Sequence, residues 1–291
     1  MIVALLGLFM ADDWVARTAT APSAPGVWDD LVTSLRHGLM ITCVWATLAL
    51  FGTRELGKLL EAGGYRPVTG AATVVNVVLA FVPWMQHNTL HDSERISDLT
   101  LVLLVLSVLI VFMGLVRRRE TEGAGADLAF TMLMIVYIGV LGSFVPRLRL
   151  AERGSPWLLL YVVLVVKTSD IAAYFTGLAV GRRKLIPWLS PGKTIEGLCG
   201  GVFFSALIAA GLSWAMRPLA PTSAWPAPAW ALLTGVLLAM VGQTGDLIES
   251  LLKRSVRAKD SGAVVPSFGG LLDILDSLML AVPLGYWLLL Q

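Results

Sequence analysis

The polar residues best suited to chemistry lie near the carboxyl terminus of the 291-residue chain, between residues 245 and 278. Four of them follow at helical spacings i, i+3, i+4 and i+7 and would form one polar stripe: Asp246, Glu249, Ser250 and Lys253. After a polar loop over 255–270, Asp273 and Asp276 repeat the i, i+3 carboxylate spacing, with Ser277 beside them. We therefore expect two helices that carry carboxylates on one face.

Two such helices, brought together, would place several carboxylate oxygens close to one another. This arrangement suits Mg²⁺, because that ion prefers oxygen ligands. The candidate metal ligands are Asp246, Asp273, Glu249 and Asp276. With Lys253, Arg254 and Lys259 nearby, a bound divalent ion would make this a site for polyphosphate. The alternative is a set of ordinary helix-end charges in water.

A second polar group lies upstream, inside an apolar run. Lys167 and Asp170 are three residues apart, so they can pair on one helix face, and Tyr174 lies one turn further along that face. Ionisable groups at this depth are costly and usually face a cavity or a partner. The pattern therefore favours the wall of a polar cavity, with a self-neutralised pair that only fixes helix packing as the alternative.

The segment 189–201 resembles a phosphate-binding P-loop only superficially. Pro187 stands where that motif requires its first glycine, and no buried strand precedes the segment. What remains is a loop whose polar side chains can contact phosphate oxygens where a helix begins. These side chains are Ser190, Lys193, Thr194 and Glu196, the last of them in the first helical turn. Beside the basic residues 182–184 they indicate an anionic substrate; the alternative is attraction of lipid headgroups by a basic loop.

The amino-acid composition indicates which kind of secondary structure positions these residues. The chain is 56% hydrophobic and only 14% charged, with a mean hydropathy of +0.77, whereas soluble domains carry roughly 25% charged residues. We therefore predict an all-α integral membrane protein, a polytopic bundle of about eight to nine transmembrane helices. A net charge of +2 is too balanced for nucleic-acid binding. Cys43 and Cys199 are expected to be small buried thiols rather than a disulfide.

Eight apolar runs have the length of about 20 residues that a spanning helix needs. They cover roughly residues 33–53, 68–87, 99–116, 128–146, 156–180, 198–216, 229–250 and 274–290. Residues 53–67 predict a separate amphipathic helix on the membrane surface, ended by Gly63 and Gly64. We divide the chain into an N-terminal segment (1–32), N-terminal transmembrane helices (33–150) and C-terminal catalytic helices with cytoplasmic loops (151–291).

The lysines and arginines of the short loops predict the orientation. Most of them fall in alternate loops, which places the loops at 182–197 and 253–273 on the cytoplasmic face. Arg147, Arg149 and Arg153 break the pattern, because they lie in a loop assigned to the other face.

The C-terminal polar residues also form one long gapped pattern. It reads Ser250-Leu-Leu-Lys253-Arg254, then Lys259-Asp260, then Pro266-Ser-Phe268-Gly269-Gly270-Leu-Leu-Asp273-Ile274-Leu-Asp276. This pattern resembles the signature of the phosphatidate cytidylyltransferases, or CDP-diacylglycerol synthases, and residues 170–197 resemble a second conserved block of that family. Phe268 stands where the family has a histidine, and Ile274 where it has an arginine.

The resemblance implies transfer of a cytidylyl group from CTP to phosphatidic acid, giving CDP-diacylglycerol and pyrophosphate in phospholipid biosynthesis. It implies that Asp246 and Asp273 hold the divalent metal. The expected catalytic residues are Asp246, Asp273, Lys253 and Lys193. The expected substrate-binding residues are Asp170, Tyr174, Ser190, Thr194, Glu196, Arg254, Lys259, Asp260, Gly269 and Gly270.

Mg²⁺ is the expected cofactor, with a second, monovalent cation left open. The expected partners are CTP, phosphatidic acid and membrane lipids, and the family suggests a homodimer, which no motif here indicates by itself. We expect a bacterial inner-membrane protein whose active site faces the cytoplasm.

Other functions stay open at this point. One is a cytidylyltransferase or CTP-dependent kinase for another lipid, such as an isoprenoid one, because Phe268 and Ile274 permit a different substrate. Another is a non-catalytic relative that binds anionic lipid, or a transporter that uses Lys167 and Asp170. A transporter would be favoured by internal repeats between the two halves, and the sequence shows none.

Overall fold

A computed structural model describes residues 7, 10–12, 38–89, 94–151, 155–218, 225–256 and 270–290. The elements are α1 (Met40–Ala62), α2 (Thr69–Thr89), α3 (Glu94–Val116), α4 (Ala124–Met134), a π-helical segment (Ile135–Val140), α5 (Phe144–Leu150), α6 (Pro156–Val180), β1 (Lys184–Ile186), β2 (Ser190–Thr194), α7 (Ile195–Met216), α8 (Pro228–Ser255) and α9 (Leu272–Leu289). The prediction of an all-α fold is confirmed, with one short hairpin as the exception.

Seven helical stretches in the described residues are long and apolar enough to cross a membrane. They are Thr69–His87, Leu99–Val116, Ala124–Leu150, Pro156–Val180, Ile195–Met216, Pro228–Ser255 and Leu272–Leu289. The chain is therefore an integral membrane protein. The prediction of eight to nine spans exceeds what this part of the chain contains. The predicted span 33–53 falls largely in α1, which continues directly into the charged residues Arg54 and Glu55.

The amphipathic helix predicted over residues 53–67 is present as the second half of α1, which runs without a break to Ala62, but its apolar face does not lie on the membrane surface. The helix ends at Gly63 and Gly64, as predicted, and Gly64 has a φ of +88°. Leu56, Leu59 and Leu60 do share one face, and all three are buried within the protein. An amphipathic pattern alone does not distinguish a helix on a membrane surface from one packed on its own chain.

The prediction of buried cysteines is also wrong. Cys43 and Cys199 are free thiols, and both are exposed on the surface of the chain. In a membrane, lipid tails are as apolar as a leucine side chain, so an apolar neighbourhood no longer implies burial in the core.

The chain divides into two compact units, Met1–Pro156 and Trp157–Gln291. In the first unit, Asn76 of α2 is fully buried and donates to Thr53 Oγ1 of α1 (2.8 Å) and to the carbonyl oxygen of Met134 (3.1 Å). The backbone N–H of Arg66 donates to Asp127 Oδ1 of α4 at 2.7 Å. These bonds tie α1, α2 and α4 together.

Two of the three arginines that break the predicted loop pattern, Arg147 and Arg149, are engaged by polar groups, and Arg153 lies outside the described residues. Arg147 Nη2 donates to Thr100 Oγ1 at 2.8 Å, and Arg149 Nε lies 2.6 Å from Asp12 Oδ2, whose side chain is fully buried. Both arginines belong to α5, at the end of a span, rather than to a free loop. The orientation predicted from the loop charges stays a prediction.

In the second unit α8 packs against both α7 and α9. Helix α6 contacts α7 through Ser205 Oγ, which donates to the carbonyl oxygen of Val165 at 2.6 Å. The connection between α6 and α7 is an antiparallel hairpin in which Lys184 pairs with Thr194 and Ile186 with Ser190. The sequence predicts only a loop here.

Glycine lets α7 and α8 touch. A Cβ on Gly235 would lie 2.6 Å from the Cα of Ala206 and 2.8 Å from the carbonyl oxygen of Ser205. Both atoms are backbone, so they can move only if the whole helix moves. In membranes such close backbone approach supplies much of the packing between helices.

We therefore expect Gly235→Ala to destabilise the protein by about 1–3 kcal/mol, because the added methyl group overpacks the α7–α8 contact. The measurement is the apparent Tm of the purified protein in detergent. Gly211→Ala is the matched control, since a Cβ on Gly211 meets nothing within 4 Å and alanine favours a helix by up to about 1 kcal/mol. Equal Tm values for the two variants would contradict this account of the packing.

Candidate active site

The carboxylates of α8 and α9 converge. Asp246, Glu249 and Asp276 each offer an oxygen, and these three oxygens all lie within 4.8 Å of one another. Glu249 and Asp276 are buried, at 3% and 6% exposure, and Asp246 is partly exposed. The carboxylate spacing of the two segments therefore does bring oxygen atoms together, as the sequence predicts.

Gly245 makes this convergence sterically feasible. A Cβ on this residue would lie 2.4 Å from the carbonyl oxygen of Asp276 and 3.2 Å from the Cα of Ser277. Helices α8 and α9 are therefore in backbone contact one residue before Asp246. This backbone contact lies beside the carboxylates that meet, Asp246 and Asp276.

Asp273 lies in a neighbouring ion pair rather than in this group of three. Lys253 Nζ contacts Asp273 Oδ1 and also lies 3.0 Å from Glu249 Oε1. The other oxygen of Asp273 accepts a bond of 2.9 Å from the backbone N–H of Gly270. Lys253 therefore compensates two carboxylates in this structure. The family resemblance implies Asp246 and Asp273 as the leading metal ligands, whereas the geometry groups Asp246 with Glu249 and Asp276.

A second part of the network is centred on Asp170 of α6. Lys167 Nζ lies 3.2 Å from Asp170 Oδ2 and donates to Ser277 Oγ of α9 at 2.8 Å. The Ser277 hydroxyl donates in turn to Asp170 Oδ2 at 3.1 Å. The predicted pairing of Lys167 with Asp170 is confirmed, and the pair is not isolated, because it links α6 to α9.

Gln243 joins the two parts, and the sequence analysis did not identify it. Its amide group donates to Asp170 Oδ1 at 3.0 Å, and its amide oxygen accepts from Lys193 Nζ at 3.0 Å. Lys193 Nζ also lies 2.7 Å from Asp246 Oδ2. Gln243 precedes Asp246 by three residues, so it extends the polar stripe of α8 by one turn. The spacing of three residues from Asp246 could therefore have identified Gln243 from the sequence.

The charges of this network favour a divalent cation. Five carboxylates face three lysines: Asp170, Asp246, Glu249, Asp273 and Asp276 against Lys167, Lys193 and Lys253. Buried like charges repel each other strongly unless a cation compensates them. Mg²⁺ would supply the missing positive charge and prefers carboxylate oxygens. The residues present therefore fit this ion, with Asp246, Glu249 and Asp276 as the grouped donors.

A cavity of about 450 Å³ opens beside the network. Its walls include the predicted site residues Asp170, Tyr174, Lys193, Thr194 and Asp246, together with Gln243. Ser190 is not among the residues that line it, although it lies on β2 nearby. Asp170 is ten residues from the end of α6, which corresponds to about 15 Å at the rise of an α-helix. This is about half of the hydrocarbon thickness of a bilayer.

Two of the predicted substrate-binding residues serve the start of α7 in this structure. Thr194 Oγ1 accepts a bond of 3.1 Å from the backbone N–H of Gly197 and so caps the helix. Glu196 Oε2 accepts bonds of 3.1 Å from the backbone N–H groups of Arg182 and Arg183. A role of either residue in substrate binding stays a prediction.

The remaining predicted residues lie at or beyond the edge of the described site. Arg254 is exposed near the end of α8, and Gly270 contributes its N–H to Asp273. Lys259, Asp260 and Gly269 lie outside the described residues, as does Phe268.

We expect Glu249→Gln to weaken Mn²⁺ binding about 10-fold or more, because the substitution removes one charged donor from the group of three. Mn²⁺ serves as a paramagnetic substitute for Mg²⁺, and electron paramagnetic resonance of the free ion gives its Kd without any assay of activity. Glu122→Gln is the control, since it makes the same chemical change at an exposed residue of the first unit. An unchanged Kd in Glu249→Gln would show that Glu249 does not hold the ion.

Comparison with known proteins identifies the family of this chain. A sequence model described as the cytidylyltransferase family matches residues 24–291. The phosphatidate cytidylyltransferase of Bacillus subtilis (strain 168) is 34% identical over 273 residues, which cover 89% of this chain and 98% of the relative. The proteins of the same name from Staphylococcus aureus (strain COL) and Staphylococcus epidermidis (strain ATCC 12228 / FDA PCI 1200) are each 31% identical over 94% of this chain and 98% of the relative. The match spans most of both units, so the chain belongs to the cytidylyltransferase family.

Proposed function

We propose that this protein transfers the cytidylyl group of CTP to phosphatidic acid, giving CDP-diacylglycerol and pyrophosphate. The observation that carries the proposal is the carboxylate group Asp246, Glu249 and Asp276 beside a cavity that lies within membrane-spanning helices. Relatives named phosphatidate cytidylyltransferase align with almost the whole chain, which supports the same substrates here. Nothing among the described residues favours an isoprenoid substrate, a kinase, a transporter or a non-catalytic relative.

In this reaction an oxygen of the lipid phosphate attacks the α-phosphorus of CTP. The new P–O bond forms as the bond between the α- and β-phosphates breaks, and pyrophosphate leaves. A phosphate nucleophile is already ionised at pH 7, so the site needs no strong general base. This is consistent with the histidines of the chain, His37, His87 and His91, which all lie in the N-terminal half.

Asp246, Glu249 and Asp276 would hold Mg²⁺, whose chemistry when bound is to neutralise phosphate charge. A second, monovalent cation and a homodimer stay predictions. The chain's own contribution is to keep the three carboxylates together, and it does so through the backbone contact of α8 with α9 at Gly245. Preformed ligands of this kind need little reorganisation during the reaction.

Lys193 is the cation best placed to meet a phosphate. Its ammonium group lines the cavity and is held by Gln243 and Asp246. It lies on β2, directly before the capped start of α7, so its backbone is fixed on both sides. We assign it the compensation of negative charge on CTP and on the departing pyrophosphate.

The cavity also has an apolar side that suits a lipid. Ala173, Leu178 and Leu198 also line it, and Phe175 and Phe203 are exposed on the same two helices, α6 and α7. A phosphate of a membrane lipid can reach Lys193 and Asp246 here while its acyl chains stay among apolar side chains. We further propose a bacterial inner membrane as the location, with the site on the cytoplasmic face, on the basis of the bacterial relatives and the loop charges.

We expect Asp246→Asn to lower kcat by about 100-fold or more. The substitution removes the negative charge of the carboxylate that belongs to the metal group and also contacts Lys193. The assay follows labelled CTP into lipid with purified protein, Mg²⁺ and phosphatidic acid. Thr244→Val is the control, since Thr244 is exposed on the same helix and, among the described residues, its hydroxyl bonds only to the carbonyl oxygen of Met240. If wild-type protein forms no labelled lipid, or if Asp246→Asn is fully active, the proposed function is wrong.

Gln243 provides a test of the network rather than of the metal group. Gln243→Leu removes the amide group that bonds both Asp170 and Lys193. Because Lys193 would then be held less firmly in the cavity, we expect kcat/KM for CTP to fall about 10-fold. The Kd for Mn²⁺ should change little, because all three grouped carboxylates remain. A loss of Mn²⁺ binding equal to that of Glu249→Gln would instead indicate collapse of the site.

A further inference from the structure

We propose that the hairpin between α6 and α7, with its basic entry at residues 182–184, is a docking surface for the phosphate headgroups of anionic lipids. The inference rests on the proposed function, since phosphatidic acid is itself anionic, and it adds the surface at which such a lipid first meets the protein. We name the segment 181–194 the headgroup hairpin.

Its position follows from its connections. The headgroup hairpin joins two spanning helices, α6 and α7, through only the residues between Val180 and Ile195. Two strands of this length extend by about 15 Å. The two headgroup regions of a bilayer together add about 10–15 Å to the hydrocarbon core, which is roughly 5–8 Å on each side. Because it leaves one spanning helix and enters the next, the hairpin begins and ends in or beside the headgroup layer.

Its tip carries an exposed tryptophan. Trp188 is 73% exposed, between the exposed Pro187 and the buried Leu189. An indole ring in this setting is costly in water and favourable at a membrane interface, where its apolar ring and its N–H group both find partners. The turn therefore suits insertion among lipid headgroups.

The base of the hairpin carries three adjacent cations. Arg182, Arg183 and Lys184 are all exposed, and none forms an ion pair with another described residue. Glu196, the nearby carboxylate on α7, is occupied by bonds from the backbone N–H groups of Arg182 and Arg183. Such cations are complementary to lipid phosphates at the surface of a bilayer.

The backbone of this basic segment is held in place by hydrogen bonds. Its side chains therefore start from fixed positions on the surface. Besides the bonds to Glu196, the N–H of Ile195 donates to the carbonyl oxygen of Arg183 at 2.9 Å. Lys184 pairs with Thr194 across the two strands. Fixing the backbone before binding lowers the entropy lost when a ligand docks.

The same segment forms part of the cavity wall. Lys184 and Leu185 line the cavity together with Lys193 and Asp246. A headgroup bound at residues 182–184 is therefore already at the opening of the site. The basic residues and the cavity form one continuous path for a lipid phosphate.

A fluorescence measurement tests the contact with the bilayer without any assay of activity. Cys43 and Cys199 are replaced by serine, and Trp188→Cys is labelled with an environment-sensitive dye in vesicles of phosphatidylcholine and phosphatidylglycerol. We expect blue-shifted emission that nitroxide-labelled lipids quench and iodide does not. The control is the same label on Glu122→Cys, an exposed residue of the loop 117–123, which also connects two spanning helices but carries no tryptophan and so reports the environment of an ordinary short loop. Emission at position 188 as water-like as at position 122 would overturn the proposal.

Kinetics test the basic segment. We expect the double variant Arg182→Gln/Arg183→Gln to raise the apparent KM for phosphatidic acid severalfold in mixed micelles, with kcat and the KM for CTP unchanged. Arg117→Gln/Arg119→Gln removes the same charge from another exposed loop and serves as the control. An unchanged KM for phosphatidic acid in the first variant, or an equal rise in both, would overturn the proposal.

Added phosphatidylglycerol distinguishes the two sources of headgroup phosphate. If it competes with phosphatidic acid in the wild-type protein but less in Arg182→Gln/Arg183→Gln, the surface binds anionic headgroups in general. If it does not compete in either protein while the double variant keeps its raised KM, the surface prefers the phosphomonoester. Both results support the docking surface. Failure of the proposed function would appear separately, as absence of labelled lipid in the wild-type protein, and would leave the fluorescence result intact.

Discussion

Charge compensation inside membrane-spanning helices is the constraint on which the C-terminal unit depends. A single charged residue at the centre of a spanning helix costs about 3 kcal/mol or more, and this unit carries five carboxylates and three lysines on such helices or beside them. They are tolerated because each lysine contacts at least one carboxylate, and because Gln243 and the Ser277 hydroxyl add hydrogen bonds to Asp170 and its neighbouring lysines. The backbone N–H of Ser277 donates to Asp276. The network thus determines how α6, α8 and α9 must face one another. Its excess of negative charge also explains why the arrangement suits a divalent cation.

Close helix contacts make that network geometrically feasible. Gly245 brings the backbone of α8 against α9 beside Asp246 and Asp276, and Gly235 brings the same helix against α7. Without a hydrophobic driving force between helices in lipid, such contacts and buried polar bonds supply much of the association. The residues that pack the unit and the residues that carry its chemistry therefore lie on the same faces. This helps to explain why a chain so poor in charge concentrates polar groups in a few turns.

Three features of the structure could not be predicted, because each depends on contacts between segments that are distant in the sequence or on the surrounding lipid. Apolar residues in a membrane protein face lipid as readily as the core, so the exposure of Cys43 and Cys199 does not follow from their neighbours. The amphipathic second half of α1 is compatible with either a membrane surface or a protein surface, and only the packed helices show that Leu56 and Leu60 are buried in the chain. The hairpin between α6 and α7 depends on a bond network around Glu196 that no local pattern indicates.

The sequence by itself determined the class of fold, seven of the spanning segments and most of the charged residues that meet in the network, because length, hydropathy and helical spacing are local properties. It also indicated the family, through a long gapped pattern centred on Lys253, Asp273 and Asp276. Only the tertiary structure decided which carboxylates share a group, placing Glu249 and Asp276 with Asp246 and leaving Asp273 with Lys253. It alone identified Gln243 as the link between Asp170 and Lys193. Spacing places side chains on one face of a helix, whereas contacts between helices depend on how closely and at what depth their backbones meet.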